Sequence, residues 1–126
     1  MLKEIKTNDA PAAIGPYSQA VAVGNFLFAS GQIPVDPATG NVPEGIEAQA
    51  EQSCKNVGAI LKANGMDYSN VVKTTCFLAD MGDFAKFNEV YAKYFNASIK
   101  PARSCVAVKA IPKGVLCEVE VLAVKE

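Results

Sequence analysis

The chain has 126 residues, half of them apolar, and 12 Lys and Arg against 13 Asp and Glu give a formal net charge of −1. Such a length predicts one domain over residues 1–126 that buries roughly two-thirds of its unfolded surface, and the composition excludes intrinsic disorder. With no histidine and no tryptophan, imidazole catalysis, His-ligated metals and Ser-His-Asp chemistry are excluded within one chain, and the charge balance offers nucleic acid no basic surface.

The first ten residues, Met1 to Ala10, hold no apolar stretch like that of a secretory signal. No apolar run approaches the roughly 18 residues of a membrane span. A cytoplasmic location is therefore expected. The hairpin comes next, within residues 17–31: Val21–Val23 and Phe26–Phe28 flank Gly24-Asn25, a two-residue turn signal. Gly31 to Gly45 holds Pro34, Pro37, Pro43 and Gly40 and is expected to be a connecting loop.

From Gly45 to Asn64 the apolar period becomes helical, with Ile46, Ala50, Cys54, Val57 and Leu61 on one stripe and Gly65 placed to end the helix. Val71 to Leu78, rich in Val, Thr and Phe, predicts a strand. Asp80 or Asp83 is placed to cap a second helix, whose stripe is Phe84, Phe87, Asn88, Tyr91, Tyr94 and Phe95. Two closing strands, Arg103 to Lys109 and Val115 to Val124, are expected to pair through Pro112-Lys113-Gly114. The fold class is α+β: a mixed sheet with hairpins at both ends and both helices on one face. The cysteines, Cys54, Cys76, Cys105 and Cys117, match no zinc spacing, so free and mostly buried thiols are expected, with no metal and no cofactor.

Local patterning fails at four places, and functional sites tend to lie where it fails. The last strand has an apolar face (Val115, Cys117, Val119, Val121, Ala123) and a mixed one (Leu116, Glu118, Glu120, Leu122, Val124). A second subunit over a polar pocket accommodates that mixture; an ordinary half-wet strand is the alternative. Arg103 opens an apolar strand, where it could grip a carboxylate bidentately or form a structural salt bridge. Cys105 shares its face, so its thiolate is expected to be the most favoured of the four. Asn88 interrupts an aromatic stripe, either to order a loop or to touch a ligand. Gly15-Pro16-Tyr17-Ser18 and Ser30-Gly31-Gln32 put small and polar groups at strand edges, where turn formation alone is the competing explanation.

These residues also carry a family resemblance. The segments AIGPYS at 13–18, SGQIP at 30–34, VKTT at 72–75, PARSC at 101–105 and CEVE at 117–120 resemble the RidA family, also called YjgF/YER057c/UK114. The match runs over about residues 8–125. The resemblance implies a chorismate-mutase-like fold and a homotrimer with a site between each pair of neighbours. It implies hydrolysis of reactive 2-imino acids, 2-iminobutanoate and 2-iminopropanoate, to 2-oxo acids and ammonia. On that basis Arg103 binds the substrate carboxylate and Glu118, rather than Glu120, holds the water. Backbone groups at Gly31 and Cys105 complete the cradle, and Tyr17, Ser30 and Asn88 line or order it. The alternative is a non-catalytic, carboxylate-binding regulatory or translation-inhibitor-like protein.

Overall fold

A computed structural model describes residues 1–126. The elements run β1 (Lys3–Ile5), β2 (Ala20–Val23), β3 (Phe26–Ala29), α1 (Ile46–Ala63), β4 (Val71–Leu78), α2 (Phe84–Tyr94), β5 (Ala102–Ala107) and β6 (Cys117–Val124). They form one six-stranded sheet in the order β1-β2-β3-β6-β4-β5. Every pairing is antiparallel except that of β4 with β5. This is the expected mixed α+β class.

The hairpin forms where Gly24 takes φ +57, a left-handed value that glycine adopts without penalty. All five residues of the predicted α1 stripe are buried. Gly65, at φ +68, follows the last turn as the residue that stops a helix. Asp80 caps the short turn Met81–Asp83 by accepting from the Gly82 N–H, and Asp83 begins α2 without a side-chain cap.

Two expectations need correction. The first strand was not expected, because Lys3–Ile5 carries a single apolar residue and no alternating pattern. Pairing to β2 makes it a strand, and Gln19 ties down the chain that follows. Its amide accepts from the Thr7 N–H and donates to the Thr7, Ala10 and Pro11 carbonyls. The closing hairpin does not exist either. The β6 strand leaves β5 and inserts between β3 and β4, while β5 lies parallel to β4 at the sheet edge. The apolar face of β6 explains the choice. Cys117, Val119, Val121 and Ala123 are at most 3% exposed, which suits a central strand. The equivalent face of β5 carries Arg103 and Cys105, both half-buried, and an edge lets a guanidinium reach water.

Helix α1 packs on β6 and on α2, covering one face of the sheet. The other face has no element over it. It presents Phe26, Phe28 and Val106, each about half exposed, with Leu122 and Val124 beside them. Lys73, Thr75, Glu118 and Glu120 stand among these apolar side chains.

Candidate active site

The expected site residues fall into two groups. The first gathers around Glu118. After β3 the chain runs Ser30-Gly31-Gln32, and Gln32 pairs with Val119 through two backbone bonds of 2.8 and 3.1 Å. That bridge sets Gly31 against the Glu118 side chain: a Cβ on residue 31 would stand 2.8 Å from the Glu118 carboxyl carbon. The Ser30 hydroxyl donates to the Ser18 carbonyl at 2.6 Å, and its N–H donates to the Gln19 carbonyl at 2.9 Å. Those bonds hold the turn bearing Tyr17, whose ring is half exposed. Tyr17 and Gly31 line one cavity of about 440 Å³, together with Ile14, Gln32, Ile33 and Lys113. Gly31 is thus set against Glu118 and shares a cavity with Tyr17, and Ser30 holds the turn between them, whereas Glu118 itself lines a separate pocket of about 160 Å³ with Phe77, Val108, Ile111 and Pro112.

Glu118 is half-buried, and its carboxyl is held above the ordinary range, first by burial and second by the negative charge of Glu120. No cation counters these effects. Glu120 is exposed and pairs with Thr75, across the sheet from Ser104.

The second group lies on the helix-covered face. Arg103 is half-buried and donates through Nη1 to the Asn88 Oδ1 at 2.7 Å. Its guanidinium carbon lies 4.8 Å from the Tyr91 ring centre and 5.5 Å from that of Phe84. No carboxylate is bonded to it, so the structural salt bridge weighed from sequence is not made within the protomer. Asn88 leaves the aromatic stripe to meet Arg103, which accounts for an amide there. Cys105 lies on the same strand face and is half-buried.

Cys105 is the least buried of the four thiols and keeps the relative preference expected of it, but its thiolate is not favoured outright. Burial raises the thiol above its ordinary value, and the Arg103 charge only opposes that shift. Burial also raises Cys54, and it pushes Cys76 and Cys117 up to about 12. All four thiols are free, as expected.

The two groups do not meet within one chain. Glu118 pairs with Phe77 on the open face, whereas Arg103 pairs with Thr74, which is fully buried on the covered face. They are three residues apart along β4 and lie on strands flanking it, so their backbones are separated by roughly 10 Å along the sheet and roughly 10 Å across it. Their side chains leave from opposite faces. No small substrate could touch both in one protomer.

Sequence reasoning missed the aromatic bed of the guanidinium, because Phe84 and Tyr91 look like ordinary core-stripe residues. It also missed the amides that hold the loops. Asn56, 1% exposed on α1, donates to the Ile33 and Val35 carbonyls at 3.0 Å each. Gln49 donates to the Pro43 carbonyl and accepts from the Leu116 N–H. A buried amide on an apolar helix face was the available signal.

The family described as Endoribonuclease L-PSP matches residues 7–125. A RutC family protein of Pyrococcus horikoshii is 54% identical, with both chains covered in full. A protein of Escherichia coli K12 named 2-iminobutanoate/2-iminopropanoate deaminase is 52% identical, over 99% of each chain. The crystal structure of E. coli TdcF with bound serine superposes with a TM-score of 0.95 at 46% identity, covering 98% of this chain and 99% of that one. The chain belongs to the Endoribonuclease L-PSP family, which is the RidA (YjgF) family that its sequence motifs resemble.

Proposed function

We propose that this protein hydrolyses small 2-imino acids, such as 2-iminobutanoate and 2-iminopropanoate, to 2-oxo acids and ammonia. The observation that carries the reading is Arg103: a half-buried guanidinium with a neutral amide as its hydrogen-bonded side chain and no carboxylate of its own. A charge held this way is preorganised for a carboxylate from outside. The name of the E. coli relative and the serine bound to TdcF, itself an amino acid with a carboxylate, support the same substrate class.

The imine carbon of such a substrate is electrophilic once its nitrogen is protonated, so the protein has to orient substrate and water. Arg103 binds the substrate carboxylate through donors that Asn88 leaves free. Glu118 takes a proton from water as the oxygen adds to the imine carbon, forming a tetrahedral amino alcohol. It then returns that proton to the nitrogen; as the C–N bond breaks and ammonia leaves, Glu118 accepts the remaining hydroxyl proton so that the C=O of the 2-oxo acid forms, and that proton passes to the ammonia as ammonium. Burial of Glu118 suits this work, because a carboxylate that holds its proton more tightly is a stronger base. Gly31 and Cys105 supply backbone groups to the cradle, and Tyr17 and Ser30 order its entrance.

Because Arg103 and Glu118 lie on opposite faces, one site requires Arg103 from one chain and Glu118 from a neighbour. A homotrimer, with the open sheet face turned inward, provides three such clefts and covers the exposed phenylalanines. The free thiols suit a reducing compartment such as the cytoplasm.

Arg103→Lys tests the reading. It keeps the charge and loses the planar fork, so kcat/KM for imine hydrolysis should fall by about 2–4 kcal/mol while Tm stays near parental. Near-parental turnover per folded subunit would sink it. A regulatory carboxylate binder would share Arg103 but would not need a base. Glu118→Gln should therefore keep affinity for 2-oxobutanoate and lose turnover.

A further inference from the structure

The proposed carboxylate grip needs the guanidinium held in one orientation, yet Arg103 sits on an edge strand at the end of a long, flexible side chain. Asn88 fixes one of its nitrogens. That bond, even with the Cys76 thiol close to the guanidinium, does not by itself set the plane. Two rings of α2 do so: Tyr91 at 4.8 Å and Phe84 at 5.5 Å from the guanidinium carbon, both within cation–π range.

Tyr91 is itself immobilised. Its hydroxyl is hydrogen-bonded to Thr74 Oγ1 at 2.8 Å, and Thr74 is fully buried in the central strand β4. Its ring stacks on Phe95, 4.4 Å between centres at 24°, and leans on Phe87 at 5.9 Å. Phe87 and Phe95 are both at most 2% exposed. The ring under the arginine is thus bolted to the sheet at one end and to the core on its face. Thr74 is also the residue paired with Arg103 across β4 and β5. Strand and side chain are therefore referenced to the same point.

We propose that Tyr91, pinned by Thr74, is a positioning residue that sets the plane in which Arg103 presents its donors to a substrate carboxylate. The inference rests on the reading of Arg103 given above. It assigns Tyr91 no contact with substrate.

The test uses 2-oxobutanoate as a competitive inhibitor, together with thermal melting of the same preparations. Tyr91→Leu removes the ring and should raise the inhibition constant roughly three- to thirtyfold, the range expected of a partly desolvated cation–π contact. Tyr91→Phe keeps the ring and strands the buried Thr74 hydroxyl, so it should lower Tm yet hold the inhibition constant near parental. That dissociation separates positioning from stability. Phe84→Leu, on the other ring, should weaken inhibition in the same direction and decides the matter if Tyr91→Leu does not fold. Equal weakening by Tyr91→Phe and Tyr91→Leu, in step with lost Tm, would overturn the proposal, as would a parental constant for Tyr91→Leu or, in its place, Phe84→Leu. Arg103→Lys run alongside distinguishes the failures. Weak inhibition there with parental Tyr91→Leu refutes only the positioning role, whereas parental inhibition in Arg103→Lys refutes the carboxylate grip itself.

Discussion

Gly31 is a glycine because a carboxylate occupies the space a side chain would need. Its Cβ would press on the Glu118 carboxyl, the far end of a flexible side chain rather than backbone. Gly31→Ala should therefore fold, with Glu118 swung off its position. A Tm within a few degrees of parental, with imine turnover down by about a hundredfold, is the expected pair of results, since misplacing a reacting group by about 1 Å costs that much. Unchanged turnover would remove Glu118 from the mechanism. The pH dependence follows from the same side chain. As base, Glu118 works ionised, so kcat/KM should fall on the acid side as the carboxyl takes up its proton. Burial and Glu120 both raise that limb above the ordinary carboxylate range. Glu120→Gln deletes one of the two causes, so the limb should move to lower pH in a pH–rate profile; an unmoved or raised limb would contradict the assignment. Both carboxylates and Arg103 were legible from sequence because each breaks an apolar alternation. Tyr91 was not, because an aromatic on a helical stripe looks the same whether it fills the core or supports a cation.

At the level of elements, what the sequence shows best is what local periodicity controls. The stripe of α1, the Gly24-Asn25 hairpin and the stop at Gly65 all follow from spacing and from positive φ. The position of β5 does not. A parallel edge pairing to β4 depends on α2 carrying the chain back along the sheet, which no pattern within β5 or β6 encodes. Likewise β1 exists only because β2 offers it an edge. The loop between β3 and α1 shows how buried amides do such tertiary work. Asn56 grips the Ile33 and Val35 carbonyls from the helix, and Gln52 donates to its Oδ1 at 2.9 Å. This clamp fixes the segment just after Gly31 and so holds the wall of the Glu118 site. Asn56→Ala leaves the Val35 carbonyl without a donor and strips one of two from the Ile33 carbonyl, which keeps the Val35 N–H at 2.9 Å, and should cost about 1–3 kcal/mol in denaturant unfolding. Turnover should drop in protein that remains folded, because the Gly31 segment loses its anchor. An unchanged unfolding midpoint would show that the clamp contributes nothing.

For the whole molecule, the decisive fact is that the sheet separates the two halves of the proposed site. β6 and β4 place Glu118 on the open face, and β4 and β5 place Arg103 on the covered one. A protomer holding both groups yet unable to use them together makes sense only if neighbours complete each other, and the uncovered Phe26 and Phe28 give them an apolar surface on which to associate. Sedimentation should find a trimer, and subunit exchange tests the sharing itself. Arg103→Lys and Glu118→Gln should each be inactive alone. In a mixed assembly, a site that takes Arg103 from the Glu118→Gln chain and Glu118 from the Arg103→Lys chain is intact. With equal amounts and random exchange, each half of a site is parental half the time, so about a quarter of the sites should recover, whatever the ring size. Brief unfolding and refolding of the mixture should restore about that fraction of imine hydrolysis, while each variant treated alone stays inactive. If both groups acted within one chain, every site would keep its single defect and the mixture would remain as inactive as its parts. Recovery of activity from two inactive proteins is therefore the outcome that a site shared between subunits requires.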